Sequence, residues 1–292
     1  MVVWRPHVDY PAGNGACGRI GLRLRMNLTI EPVGQHLRAW RQRRRLSQLD
    51  LALDAEISAR HLSFVETGRA APSRDMILHL CERLNVPWRE RNRMLMAGGF
   101  APLIPERPLS DPALHAVRAA VDSVLAAHRP FPALAVDRHW TMVAANDAVH
   151  ALLHGLDPAV LEPPVNVLRL SLRPDGLAPR IANFAQWRHH LLQRLQQQVE
   201  ATADPDLADL ASDLRRYPVV PQAAGQGVIA DSAGGLVIPL RLITPLGVLS
   251  FISTTMVFGT PLDVTSSELA IESFFPADDA TARALAARAA HA

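Results

Sequence analysis

Four prolines, Pro102, Pro105, Pro108 and Pro112, fall within residues 101–112 and rule out a continuous helix there. Proline has no amide hydrogen to donate and fixes its own φ, so a stretch this rich in it stiffens into an extended spacer. The chain has 292 residues, more than one typical domain needs. The spacer is therefore where the chain is expected to divide, with a folded unit on either side. Hydrophobic residues make up 49% and charged residues 20%, enough apolar material for both units to bury a core.

The front of the chain opens with residues 1–30, which hold Pro6, Pro11, Gly13, Gly15, Gly18 and Gly21 and no sustained periodicity. A flexible arm is expected, with Met26 as an alternative start and Arg5, Arg19, Arg23 and Arg25 as groups able to touch DNA. Over 31–100 the pattern becomes short helical pieces, at 33–45, 47–55, 58–67, 73–84 and 88–97. Ser47, Ser58 and Ser73 each precede one of these pieces as a capping residue would, and Gly68 follows the third where a left-handed residue is wanted. Five such pieces make a compact all-α bundle.

Charge separates the two parts. Residues 1–100 carry 16 Arg against 9 Asp and Glu, while the whole chain nets only +2, so the front is basic and the back mildly acidic. A basic front suits a polyanionic partner. Within it, Leu51, Ala52, Ile57, Leu62 and Val65 are spaced to let two short helices cross closely around a tight turn. Ala59, Arg60, Ser63 and Phe64 are left on the opposite face of the second helix, which would enter a major groove. The run Arg41, Arg43, Arg44 and Arg45, taken alone, reads as a solvated face.

Through Ser47-Gln48, Ala52, Ser58 and Glu66-Thr67-Gly68-Arg69 this segment resembles the lambda-repressor-like, or xenobiotic response element, helix-turn-helix family. The resemblance places Gln48 where it bonds a phosphate and Arg60 where it reaches base edges, with Ser58, Ala59, His61 and Ser63 beside it. Arg43, Arg69 and Arg74 are expected at phosphates. Phe64 is expected either to meet a thymine methyl group or to pack inward.

Behind the spacer, helices are expected over 113–127 and after Asn146, and short strands over 133–136 and 140–144 around Asp137 and Arg138. Ile181, Phe184, Leu191, Leu192, Leu195 and Val199 form one apolar stripe of a long helix over 181–199. Strands over 236–243 and 248–257 flank the turn Thr244-Pro245-Leu246-Gly247, and helices over 266–275 and 280–290 close the chain.

Four runs, Arg60-His61-Leu62-Ser63-Phe64-Val65-Glu66-Thr67-Gly68-Arg69, Arg173-Pro174-Asp175-Gly176-Leu177-Ala178-Pro179-Arg180-Ile181-Ala182-Asn183, Phe258-Gly259-Thr260-Pro261-Leu262-Asp263 and Glu268-Leu269-Ala270-Ile271-Glu272-Ser273-Phe274-Phe275-Pro276-Ala277-Asp278, are similar to those of MmyB-like bacterial regulators. That resemblance implies a PAS-like α+β ligand-binding domain over 113–280, with a small antiparallel sheet, ahead of a C-terminal helix or tail at 281–292. It also implies an apolar cavity for a fatty-acid-like molecule, with no other cofactor required. Trp140, Phe184, Trp187, Phe251 and Phe258 are the candidate lining, the alternative being ordinary core. Arg188, beside His189 and His190, is the candidate partner for a carboxylate head group.

The expected protein is a cytoplasmic regulator that binds a double-stranded DNA operator as a homodimer and answers to a small apolar ligand. The alternative is a back domain that only dimerises or recruits a protein. Cys17 and Cys81 stand in no metal-ligand spacing, and no apolar run reaches the length of a membrane span. An enzyme is not expected: no phosphate loop, nucleophile elbow or dinucleotide fingerprint occurs. The best support for catalysis is His150 and His154, four residues apart on one helix face where both could bind a metal.

Overall fold

The computed structural model describes residues 31–219, 238–259 and 263–290. The arm expected over 1–30 lies outside the described residues, as do residues 236–237 of the expected strand and 260–262 of the family-like run.

The first unit holds five helices: α1 (Val33–Arg43), α2 (Gln48–Asp54), α3 (Ala59–Glu66), α4 (Arg74–Arg83) and α5 (Trp88–Ala97). Three start at the expected serines. The Ser47, Ser58 and Ser73 side chains accept hydrogen bonds from the backbone N–H of Asp50, His61 and Met76, and the Asp50 carboxylate accepts in turn from the Ser47 N–H, which completes a capping box. Leu37, Leu51, Leu62, Ile77, Leu80 and Leu95 are buried at the centre, whereas Ile57, expected with them, is half-exposed. Gly34 lets α1 meet α3: a Cβ on it would come within 2.1 Å of the Val65 carbonyl oxygen.

The basic run at the end of α1 is not one solvated face. Arg41 is buried, and its Nε and Nη2 donate to both carboxylate oxygens of Glu66 at 2.6 and 2.9 Å. Arg44 donates to the carbonyl oxygens of Leu84 and Asn85 at the end of α4. Only tertiary pairing separates these two from the outward Arg43 and Arg45. Beyond α5, the spacer does not leave the bundle at once, because the Asn92 amide bonds both the N–H of Leu103 and the carbonyl of Ile104.

The second unit is α+β. It contains α6 (His115–Ala127), β1 (Ala133–Val136), β2 (Met142–Ala145), α7 (Asp147–Leu153), α8 (Val167–Leu172), α9 (Phe184–Thr202) and α10 (Pro205–Arg216). It continues with β3 (Leu240–Thr244), β4 (Gly247–Val257), α11 (Val264–Ser267), β5 (Ala270–Pro276) and α12 (Asp279–Ala289). The five strands form one antiparallel sheet in the order β2-β1-β5-β4-β3. This is the small antiparallel sheet with flanking helices that a PAS-like domain requires.

Two expectations are corrected. The helix expected over 266–275 is the four-residue α11 followed by β5, the middle strand of the sheet. A helix from residue 181 instead begins at Phe184, because Ile181 makes an antiparallel bridge to Leu242. Elsewhere the hairpin turn stands where expected, with Gly247 at φ +102° and Thr244 paired to it.

The larger core lies on one face of the sheet, where Leu134, Phe251, Phe184, Trp187, Leu191, Leu195 and Leu214 meet. On the other face Val121 and Leu125 of α6 pack on Ala133, Ala135 and Ile271. Asn146 is wholly buried and joins three elements. Its amide oxygen accepts from the N–H of Ala133 and Val149, and its nitrogen donates to the carbonyls of Leu125 and Phe131. All of its polar capacity is met, which burial demands.

Two outcomes follow for stability. Burial pushes the Glu66 carboxyl up, but the hydrogen bonds from Arg41 and Gln48 and the charge of Arg41 outweigh it and hold the group below its usual range. A lowered pKa in the folded state contributes stability above the unfolded pKa and loses it as pH falls through the folded one. Chemical denaturation of the bundle followed through Trp40 should show the midpoint falling below the usual carboxylate range. Glu66→Gln should cost about 3 kcal/mol at neutral pH and flatten that acid dependence; an unchanged profile would contradict the assignment. In the second unit, Leu195→Ala should cost about 2–5 kcal/mol in denaturant unfolding, since its side chain is fully enclosed.

Candidate functional site

The first candidate surface is the outer face of α3. Leu62, Val65 and Glu66 turn inward and are buried, while Arg60 and His61 are exposed and Ala59, Ser63 and Phe64 are half-buried at the surface. Ser58 caps the start of the helix, so its first turn is ordered without help from a ligand. Phe64 neither packs inward nor stands alone. Its ring lies beneath two guanidinium groups, with Arg60 at 5.4 Å and Arg69 at 6.0 Å from the centroid. Such cation–π contacts limit the rotamers of a long side chain and leave its N–H groups free to bond outward.

Gln48 stands at the start of α2, and its Nε2 donates to Glu66 at 2.8 Å. One of its two amide N–H groups is therefore used internally. Arg43 is exposed at the end of α1 with its guanidinium 5.8 Å from the Trp40 ring. Arg69 is exposed just past Gly68, which has φ +74°, and Arg74 is half-buried at the start of α4. The buried Arg41–Glu66 pair and the Gln48 bond together fix α1, α2 and α3 to one another beneath the outer face.

The second candidate is a cavity of about 110 Å³ in the α+β unit. Trp140, Trp187 and Phe251 line it, together with Leu168 of α8 and Leu191 of α9. Two expected lining residues do not. Phe184 is buried in the same core but not on the wall, and Phe258 packs with Val121 and Ile271 on the opposite face of the sheet. Arg188 also points elsewhere: its guanidinium reaches the carbonyl oxygens of Leu214 and Arg215 at the end of α10. It caps that helix.

What lines the cavity in place of Arg188 is an ion pair. Arg194 of α9 meets Glu272 of β5, Nη2 to Oε1 at 2.6 Å and Nη1 to Oε2 at 3.0 Å. The guanidinium lies 4.6 Å from the Trp140 ring, and Trp140 Nε1 donates to Gln198 at 2.7 Å. The signal for this was present on α9, since residues 187, 191, 194 and 198 follow helical spacing and share one face. Glu272 was hidden by the helical reading of its strand.

His150 and His154 are not brought onto one helix face. Helix α7 ends at Leu153, and His154 leaves it with φ −55° and ψ 137°. Among the described residues, His139, Asp204 and Asp206 have metal-ligand proximity. Their arrangement is accounted for without an ion. Asp204 caps α10 by accepting from the Asp206 N–H, accepts from His139 at 3.0 Å and faces Arg138 at 3.4 Å. Burial pushes the Asp204 carboxyl up, but His139, the backbone and Arg138 outweigh it and hold it low.

Two family models match the chain, one over each unit. Residues 32–94 match a helix-turn-helix domain model, and residues 117–287 match the model of the MmyB-like transcription regulator ligand binding domain. No curated protein matches the chain. No helix among the described residues is long and apolar enough to cross a membrane. With its helix-turn-helix bundle ahead of a PAS-like sheet domain that matches over more than half the chain, this protein belongs to the MmyB-like transcription regulators.

Proposed function

We propose that the chain works in the cytoplasm as a homodimer in which α3 of each copy reads one half-site of a double-stranded DNA operator, under control of an apolar effector held in the sheet-domain cavity. The observation that carries the DNA part is the outer face of α3, where Arg60 is exposed and set against Phe64 while Glu66, on the reverse face, is locked to α1 and α2. An arginine held in this way can bond guanine bidentately. Two-fold operators explain why a helix-turn-helix protein of this kind would act as a dimer.

An apolar effector is supported by the cavity wall of tryptophan, phenylalanine and leucine. For a fatty-acid-like molecule, Arg188 was the candidate partner of the carboxylate, and that side chain is engaged at α10. An acyl chain longer than a few carbons would also have to enlarge a space of about 110 Å³. Binding there alters operator affinity only if the effector prefers one arrangement of the dimer over another.

The test is selection from a random double-stranded DNA pool by the full-length chain, with native mass spectrometry on the same preparation. The expected result is a dimer that enriches a two-half-site sequence. Arg60→Ala should lose about 1–3 kcal/mol of discrimination at one base pair per half-site. Arg74→Ala should weaken binding to all sequences and lower the salt slope by about one. No enriched sequence would overturn the DNA reading. A dimer that neither retains nor binds any small molecule would favour a back domain that only dimerises or recruits a partner.

A further inference from the structure

At one corner of the cavity an acidic and an aromatic side chain already hold a cation. Glu272 offers a carboxylate, Trp140 offers an indole face, and the Arg194 guanidinium sits against both. Thr255 Oγ1 donates to Glu272 Oε1 at 2.9 Å and accepts from Arg194. The indole is fixed by its bond to Gln198. A carboxylate and an aromatic face turned toward one point make a site for an ammonium group.

The two ends of the ion pair differ in how easily they can leave. Glu272 is on the middle strand of the sheet, and its side chain is only 5% exposed. An anionic ligand that took Arg194 from it would leave a carboxylate buried without its counter-charge, which is strongly unfavourable. Arg194 is on a helix, at the end of a long flexible side chain that is 27% exposed. Its guanidinium can swing into water and keep its hydration. The group that a ligand can replace is therefore the arginine.

Resting on the reading of this cavity as the effector site, we propose that the effector is a small apolar amine or ammonium compound. Its cationic nitrogen takes the place of the Arg194 guanidinium between Glu272 and Trp140, and its apolar body lies against Trp187, Phe251 and Leu191. The size suits a single ring. An apolar cavity of about 150 Å³ holds benzene, and departure of the guanidinium adds room for the nitrogen to the 110 Å³ already open.

Isothermal titration of the full-length protein at neutral pH with benzylamine, benzyl alcohol and benzoate, which share a ring and differ in charge, tests this. Benzylamine should bind at least about tenfold more tightly than either of the others. Glu272→Gln, which keeps the shape of the side chain, should abolish that preference. Arg194→Met removes the internal competitor and should tighten benzylamine about tenfold. Benzoate or benzyl alcohol binding as tightly as benzylamine would overturn the cationic assignment and leave an apolar effector standing. Failure of all three probes to bind would count against both.

Discussion

Glu66 is where the first three helices are joined. Its carboxylate takes two hydrogen bonds from Arg41 of α1 and one from Gln48 of α2, and it is itself the last residue of α3. A buried ion pair contributes little net stability compared with an apolar substitute, because removing both charges from water costs about as much as their attraction returns. What it adds here is geometry. Apolar packing between Leu37, Leu51 and Leu62 tolerates small slides, whereas a bidentate guanidinium and a third directed bond do not. In the base readout proposed for α3, that rigidity is what would hold Arg60 in place.

The α+β unit uses buried polar groups in two different ways. Asn146 has every donor and acceptor satisfied by backbone, so it works as an internal fastener among α6, β1 and α7. Arg194 and Glu272 also satisfy one another, but they do so on the wall of an open space and with unequal exposure. The first arrangement has nowhere to go, while the second has a place for one partner to move into.

The bundle was largely legible in the sequence because three of its five helix starts carry their own local signal, a serine whose side chain bonds the third residue of the helix. β5 was not. Ile271 and Ser273 turn to one face of the sheet and Glu272 and Phe274 to the other, and since 271, 272 and 273 are all buried, the strand shows no alternation between water and core. Phe258 was misplaced for a related reason: the face a residue meets at the end of a strand depends on register, which is a tertiary property. Arg188 and Arg194 are six positions apart on α9, and only the second shares the face of Trp187 and Leu191. Arg41 could not be told from its neighbours in the basic run until its partner, 25 residues away, was placed beside it.

The decisive measurement is the structure of the full-length chain on a DNA duplex it has selected. The expected complex has α3 in the major groove, with the Arg60 guanidinium within hydrogen-bond distance of a base and Arg69 and Arg74 at phosphates. A complex in which another element occupies the groove, or in which the bundle touches only the sugar-phosphate backbone, would contradict it.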